Sequence, residues 1–466
     1  MSKTTPPHNT GPAMQRTAVI DIVGLSSAVI GEHTPFLQAR AARGLTRIAP
    51  MAPGLTTSAQ STYLTGKWPS EHGIVANGWY DRRDNEIKFW KQSNPLVEAE
   101  SIWQCAKRHN PAFTCAQMFW WYNMYNGADF SLTPRPNYLA DGRKMADCYS
   151  HPASLRDEVQ EKFGTFPLFQ FWGPGANIAS SRWIANASKY VEEKHSPTLS
   201  LVYLPHLDYC QQKLGPVPGL IARELSEIDD LVKDLVTFYE ARGVRVLLLS
   251  EYGIVPVSRP VHINRLLRQD GLLGIRIERG LELLDAGASR AFAVADHQIA
   301  HIYTRDEATK ARVKELLQGV PGIADIWDSE EKSAHHIDHP RAGDLVVMAE
   351  PDSWFTYYFW LDDARAPDYA RAVDIHKKPG YDPVEMFLTS KLRAAWLLLK
   401  KKLGFRYAMD VIPLDASLVK GSHGRHEAEP QYHPVLMGVD GLPASIAANQ
   451  VHDIIWQEIF GAPPAS

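Results

Sequence analysis

Four short apolar runs, rich in β-branched and aromatic residues, recur along the chain: "TAVIDIVGL" (17–25), "FPLFQFW" (166–172), "LSLVYLP" (199–205) and "VRVLLLS" (244–250). Their apolar character is nearly continuous rather than alternating, which predicts strands buried on both faces. Between the last two, Ile221, Leu225, Ile228, Leu231, Val232, Leu235 and Val236 recur at helical spacing. Buried strands separated by amphipathic helices predict an α/β layered fold with a mostly parallel central sheet flanked by helices.

The pattern changes near residue 260. "VHINRLLRQDGLLGIRIERG", "AFAVADHQIAHIYT" and "EATKARVKELLQGV" predict helix, strand and helix, and "AGDLVVMAE" (342–350) predicts a strand returning to the main sheet. The expected organisation is a flexible N-terminal segment (1–16), a main α/β core (17–258), a smaller inserted α+β lobe (259–341) and a return to the core (342–466).

Composition narrows the function classes. Of 466 residues, 45% are apolar and 22% charged, and the formal net charge is −4, which disfavours a broad surface for a nucleic-acid duplex. Cys105, Cys115, Cys148 and Cys210 are scattered with no CxxC spacing, which excludes a zinc knuckle or a disulfide framework. The polar opening "MSKTTPPHNTGPAMQR" predicts no signal peptide, and "AAWLLLKKKLGF" is cut short of a membrane span by lysines. The expectation is a cytoplasmic protein with no membrane partner; its oligomeric state is not legible.

Three apolar runs carry an acid at or near their exit: Asp21, Asp208 and Glu251. Ligands of open α/β sheets bind outside the carboxyl ends of the strands, where converging acids repel unless a cation lies between them. One acid after a strand is ordinarily a cap or a loop residue; three of them suggest a site. A Pro-Gly turn precedes "LTTSAQSTYLTG", a helix start with Thr57 or Ser58 as candidate cap. A threonine there either caps the helix or sits where a phosphate and its attacking group would lie.

The stretch "PGLTTSAQSTYLTGKWPSEHGIVANGWYD" (53–81) resembles the nucleophile segment of nucleotide pyrophosphatase/phosphodiesterases and of phosphonoacetate hydrolases, two branches of the alkaline phosphatase superfamily. The resemblance runs in order from Asp21 to about His423 and implies an alkaline-phosphatase-like fold. It puts the nucleophile on Thr56 and a phosphate-contacting amide on Asn77. It also implies two divalent ions, zinc in type. One would be held by Asp21, Thr56 and Glu251, the last from "EYG" where the family has "DHG". The other would use Asp208, a histidine four residues on and a distant histidine, either His423 in "GSHGRH" or His376 in "DIHKKPGYD".

The chain departs from that pattern. Gln212 and Tyr252 stand where the family has imidazoles, and such oxygen-rich sites suit manganese or magnesium better than zinc. Asp296, His297 and His301 in "AVADHQIAHIY" are candidates for replacement ligands or substrate contacts. The implied activity is metal-dependent hydrolysis of a small phosphoester through a phosphothreonine on Thr56, with a phosphonate hydrolase or a degenerate binding protein as alternatives. The aromatic stretch "MFWWYNMYNGADF" (118–130) either stacks on a flat substrate group or packs an insertion against the sheet. Arg135 and Arg259 are candidate anion contacts.

Overall fold

The computed structural model describes residues 14–405 and 407–464. Most of the expected N-terminal segment lies outside the described residues; Gln15 is tied down, its N–H donating to the Ile459 carbonyl at 2.8 Å.

Nine strands form the main sheet, in the spatial order Ser445–Ile446, Leu45–Ile48, Val435–Met437, Arg245–Leu249, Thr17–Ile22, Leu199–Leu204, Cys115–Met118, Phe130–Pro134 and Cys148–His151. The five from Arg245–Leu249 to Phe130–Pro134 run parallel. The two at the centre are buried along their whole length, as their unbroken apolar runs require. Their helices include Ile178–His195 and Ala222–Glu240, the latter burying the six apolar stripe residues from Leu225 to Val236 together with Asp229.

A second sheet, in the order Ala291–Asp296, Ile299–Thr304, Leu345–Ala349 and Ile323–Trp327, is antiparallel and has a hydrophobic core of its own. Two expectations are corrected here. The strand at 342–350 does not return to the main sheet but pairs within the second one. The run 291–304 is two strands, not one, joined by a turn at His297–Gln298 with His297 at φ 59°. Both hairpin strands are buried, so neither shows the alternation that would have separated them.

The run 166–172 is also not a strand. It holds a single helical turn, Leu168–Phe171, because Pro167 has no N–H to give a ladder. Phe166 and Phe171 pack instead around Phe119, with ring centroids 4.8 and 6.2 Å away.

Candidate functional site

Sheet register assembles the acids. Asp21 lies opposite Tyr203 on one neighbouring strand and Leu249 on the other, so Glu251 emerges beside it and Asp208 follows just beyond the other strand's end. All three are buried.

Against these strand ends lies the helix Thr56–Thr65, every residue of which is buried. Its small hydroxyl residues make that burial tolerable, because Thr57, Ser58, Ser61 and Thr65 donate to nearby backbone carbonyls while Thr56 and Thr62 pair with side chains. Thr57 Oγ1 donates to the Ala76 carbonyl at 3.0 Å, Ser58 Oγ to Ile74 at 2.9 Å, and Ser61 Oγ to Thr57 at 2.7 Å. Gly66, at φ 69°, closes the helix in the left-handed region. Neither Thr57 nor Ser58 is the cap. The helix starts at Thr56, and Asn77 caps it from outside, its Oδ1 accepting from the Thr57 N–H at 3.1 Å.

Thr56 therefore sits at the positive end of a helix, facing the acids. Its Oγ1 lies 3.1 Å from the hydroxyl of Tyr252, which donates to Asp208 Oδ1 at 3.2 Å. Gln212, on the helix His206–Leu214, donates to the other Asp208 oxygen at 2.8 Å, and Tyr381 donates to Gln212 Oε1 at 2.9 Å. Four rings then close the wall. Tyr252 stacks on His423 at 3.5 Å, His423 packs tilted against His297 at 3.8 Å, and His297 stacks on Tyr381 at 3.7 Å.

Gln60, one turn beyond Thr56, was not anticipated. Its amide nitrogen donates to Asp21 Oδ2 at 3.4 Å and to Glu251 Oε1, while its oxygen accepts from the Trp121 N–H at 2.7 Å. Its position four residues after Thr56, the same spacing along a helix face, was the available signal. Trp121 belongs to a turn in which Phe119, Tyr122 and Tyr125 all have positive φ. The Asn123 amide braces that turn by donating to the Gln117 and Leu132 carbonyls at 3.0 and 3.2 Å.

Burial pushes the Asp21 carboxyl well up, with the charge of Glu251 adding to it, and burial raises Glu251 as well. Asp208 is pushed up to about 7 by burial, against the hydrogen bonds from Gln212 and Tyr252. Burial also drives the imidazoles of His297 and His423 down, so both are neutral near pH 7.

The two ion positions fare differently. At the first, Asp21 Oδ1 and Glu251 Oε2 are buried without a hydrogen-bond partner, and Thr56 adds a hydroxyl beside them. Two carboxylates and a hydroxyl suit one hard cation that keeps waters and takes substrate oxygens, as magnesium and manganese do. At the second, both Asp208 oxygens are engaged by side chains, and His423 Nε2 stands 3.8 Å from Oδ1. A zinc-type ion does not fit there without displacing Tyr252 or Gln212. Among the described residues no three His, Cys, Asp or Glu side chains converge on one point.

The remaining candidates separate cleanly. His376 is on the cavity wall, its Nδ1 3.3 Å from the Phe89 carbonyl. Asp296 accepts from Asn77, 2.9 Å from its N–H and 3.3 Å from its Nδ2, and its carboxyl is raised to about 7 by burial. His297 Nδ1 lies 2.7 Å from Asp296, and its Nε2 is unpartnered. His301 is structural, with its nitrogens 3.0 and 3.1 Å from the Val75 carbonyl and the Gly343 N–H. Arg259 pairs on the surface with Glu350.

Thr56, Asp208, Tyr252 and His297 open on a cavity of about 1820 Å³. Trp90, Trp121, Trp172, Tyr209 and Tyr381 line it, together with Arg135 and Lys144. Of the aromatic stretch, Trp120 is core and Trp121 faces the cavity.

A mostly parallel sheet with a threonine-headed helix over acids at its strand ends thus sets a hydroxyl beside carboxylates on a cavity wall. The family model described as type I phosphodiesterase / nucleotide pyrophosphatase matches residues 17–382, and the chain belongs to that family, within the alkaline phosphatase superfamily. It is similar to the uncharacterized pyrophosphatase/phosphodiesterase C725.05c of Schizosaccharomyces pombe (strain 972 / ATCC 24843), 23% identical over 379 residues, 77% of this chain and 63% of that protein. It is also similar to a bis(5'-adenosyl)-triphosphatase of Mus musculus, 23% identical over 216 residues, 45% of this chain and 39% of that one. The chain thus spans less than two thirds of the length of these curated relatives. Two solved structures share the fold at 14% identity. Murine ectonucleotide pyrophosphatase / phosphodiesterase 5, an inactive variant in complex with AMP, has a TM-score of 0.57 over 97% of this chain and 96% of that one. Phosphonoacetate hydrolase from Sinorhizobium meliloti 1021, in complex with phosphonoacetate, has 0.59 over 97% and 98%. No helix among the described residues is long and apolar enough to cross a membrane.

Proposed function

We propose that the chain hydrolyses small phosphoesters, of the phosphodiesterase type, through a phosphothreonine on Thr56, and that it works with one divalent cation rather than a zinc pair. The observation that carries this reading is the place of Thr56: at the head of a buried helix, on the cavity wall, beside two acids that each keep an unpartnered oxygen. Asp21, Glu251 and Thr56 would hold the cation, magnesium or manganese by their oxygen chemistry. When bound, it offsets phosphate charge and lowers the pKa of the threonine hydroxyl.

The chain's own residues supply the rest. Tyr252 donates its proton to Asp208, so its oxygen is free to accept the Thr56 proton. As the Thr56 oxygen bonds to phosphorus, its proton passes to Tyr252 and the tyrosine proton to Asp208. The bond to the leaving oxygen breaks, and that oxygen takes a proton back from Asp208. Water then hydrolyses the phosphothreonine by the same path in reverse, releasing the phosphoryl product. The helix N-terminus at Thr56 stabilises charge on the non-bridging oxygens.

The cavity's tryptophans suit a flat group next to the phosphate, and the murine neighbour's AMP makes a nucleotide phosphoester the first substrate to test. Four free cysteines support a reducing compartment such as the cytoplasm.

A second reading, a binding protein without turnover, is favoured by Asn77, whose amide is turned to Asp296 and to the helix instead of the cavity. Turnover of p-nitrophenyl phosphodiesters, a dinucleotide and phosphonoacetate, each with magnesium or manganese, separates the readings. Wild type should turn over a diester, acid quenching should trap phosphate on Thr56 by mass spectrometry, and Thr56→Ala should be inert. Turnover unchanged in Thr56→Ala would reject the nucleophile.

A further inference from the structure

We infer that the helix Lys391–Lys402 is a docking element for an anionic lipid surface, lying on it rather than crossing it. Of its twelve residues only Leu397 is buried. Leu392, Trp396, Leu399 and Leu403 fall at i, i+4, i+7 and i+11, one stripe along the helix. They are 85%, 56%, 45% and 62% exposed, on a chain whose other large apolar side chains are mostly covered. A contiguous exposed apolar stripe of this kind marks an interaction site.

Charge selects the occupant. The helix "KLRAAWLLLKKK" contains no acid, and Lys391, Lys400, Lys401 and Lys402 pair with no carboxylate among the described residues. Lys400 Nζ instead lies 5.4 Å over the Trp396 ring, its stem along the apolar stripe and its charge at the edge. Leucine and tryptophan on one face with lysines beside them is the composition of helices that rest at a membrane interface, held by apolar burial and by attraction to anionic headgroups. An acid-free, lysine-flanked face complements such a surface across its whole length.

The stripe and the cavity take opposite faces of this helix. Ala394, Leu398, Lys401 and Lys402, on the face away from the stripe, line the cavity together with Leu388 and Phe405. The inference holds whether or not Thr56 is a nucleophile.

Co-sedimentation of the full chain with two vesicle types tests it: phosphatidylcholine alone, and phosphatidylcholine with phosphatidylserine. Binding to the serine-containing vesicles should exceed binding to the neutral ones and weaken with salt. Leu392→Glu with Trp396→Glu should lower it by about tenfold or more. Lys400→Gln with Lys401→Gln and Lys402→Gln should remove its preference for phosphatidylserine. Leu392, Trp396 and Lys402 are exposed and Lys400 and Lys401 half-buried, and unchanged thermal unfolding would show the variants folded. Wild type staying in solution with both vesicle types overturns the proposal. So does a dimer that Trp396→Glu converts to monomer while vesicle binding is absent, which would make the stripe a contact between copies.

Discussion

The hydroxyl of Tyr252 stands 3.1 Å from the Oγ1 of Thr56 and donates to Asp208, so a tyrosine joins the candidate nucleophile to a carboxylate. The resemblance leads one to expect an imidazole at position 252. Asp208, pushed up to about 7 by burial, is matched to taking a proton near neutral pH. Tyr252→Phe keeps the ring stacked on His423 and removes only the hydroxyl. Turnover of a diester should fall by about 100-fold with KM little changed. A fall in affinity without a fall in kcat would show that the hydroxyl positions substrate and carries no proton.

Gln60 answers a different problem, the repulsion between Asp21 and Glu251. An uncharged amide gives each acid one donor and leaves the other oxygen of each unpartnered. Gln60→Ala would strip both acids of that donor and leave the Trp121 N–H buried and unpaired. The expected loss is about 2 kcal/mol, read as a shift in the urea midpoint. Magnesium or manganese should raise the thermal midpoint of wild type and raise that of Gln60→Ala further, since the variant's acids have more to gain. A thermal midpoint indifferent to both ions in both proteins would remove the cation from Asp21 and Glu251.

The parts of this architecture that read directly from sequence are those where burial is uniform. The central strands, Thr17–Ile22 and Leu199–Leu204, appear as unbroken apolar runs because helices cover both faces of the sheet. The acids at their ends were legible for the same reason, since a carboxylate stands out after such a run. Uniform burial also hides boundaries: the 291–304 hairpin turns at His297–Gln298 without glycine, asparagine or proline to mark it. Periodicity does not say which strand a strand will pair with, so the apolar run 342–350 carries no mark of the second sheet, in which its strand Leu345–Ala349 pairs. Gln60 is an ordinary helical residue until two distant strands bring Asp21 and Glu251 over it. Tyr252 and Gln212 were visible as departures, but their hydrogen bonds to the two oxygens of Asp208 depend on the fold.

Those two departures make a prediction about metal content. Both oxygens of Asp208 are taken by Gln212 and Tyr252, and His423 is already within 3.8 Å. Gln212→His with Tyr252→His would replace two hydrogen-bonding side chains with nitrogen donors beside an existing carboxylate and imidazole. That set matches the N/O ligands zinc prefers. The double variant should gain one zinc ion over wild type, measured by elemental analysis after dialysis. Zinc content equal in the two proteins would mean that backbone geometry, rather than ligand identity, denies the ion its place.

His72, in the "SEHGI" that follows the Thr56 helix, makes that helix sensitive to acid. Its Nδ1 accepts from the Ile74 N–H at 3.1 Å, which leaves Nε2–H to donate to Thr62 Oγ1 at 3.0 Å. Burial, with a smaller contribution from His339, holds its pKa down to about 3. Between its ordinary value near 6.5 and 3, the unfolded chain binds a proton there that the native chain refuses. The contribution of His72 to stability is therefore full above pH 6.5 and drops as the pH falls through that window. By pH 5 the loss from this residue should be about 2 kcal/mol. His206 and His301, both held down to about 4 by burial, act in the same direction, so the whole slope does not belong to His72. His72→Gln keeps a side chain that can bond Thr62 but cannot titrate. It should be less stable than wild type at pH 7 and lose less on going to pH 5, in urea unfolding at both values. Parallel losses in the two proteins would show that His72 is already protonated in the native state, and the hydrogen bond from Ile74 would have to be abandoned with it.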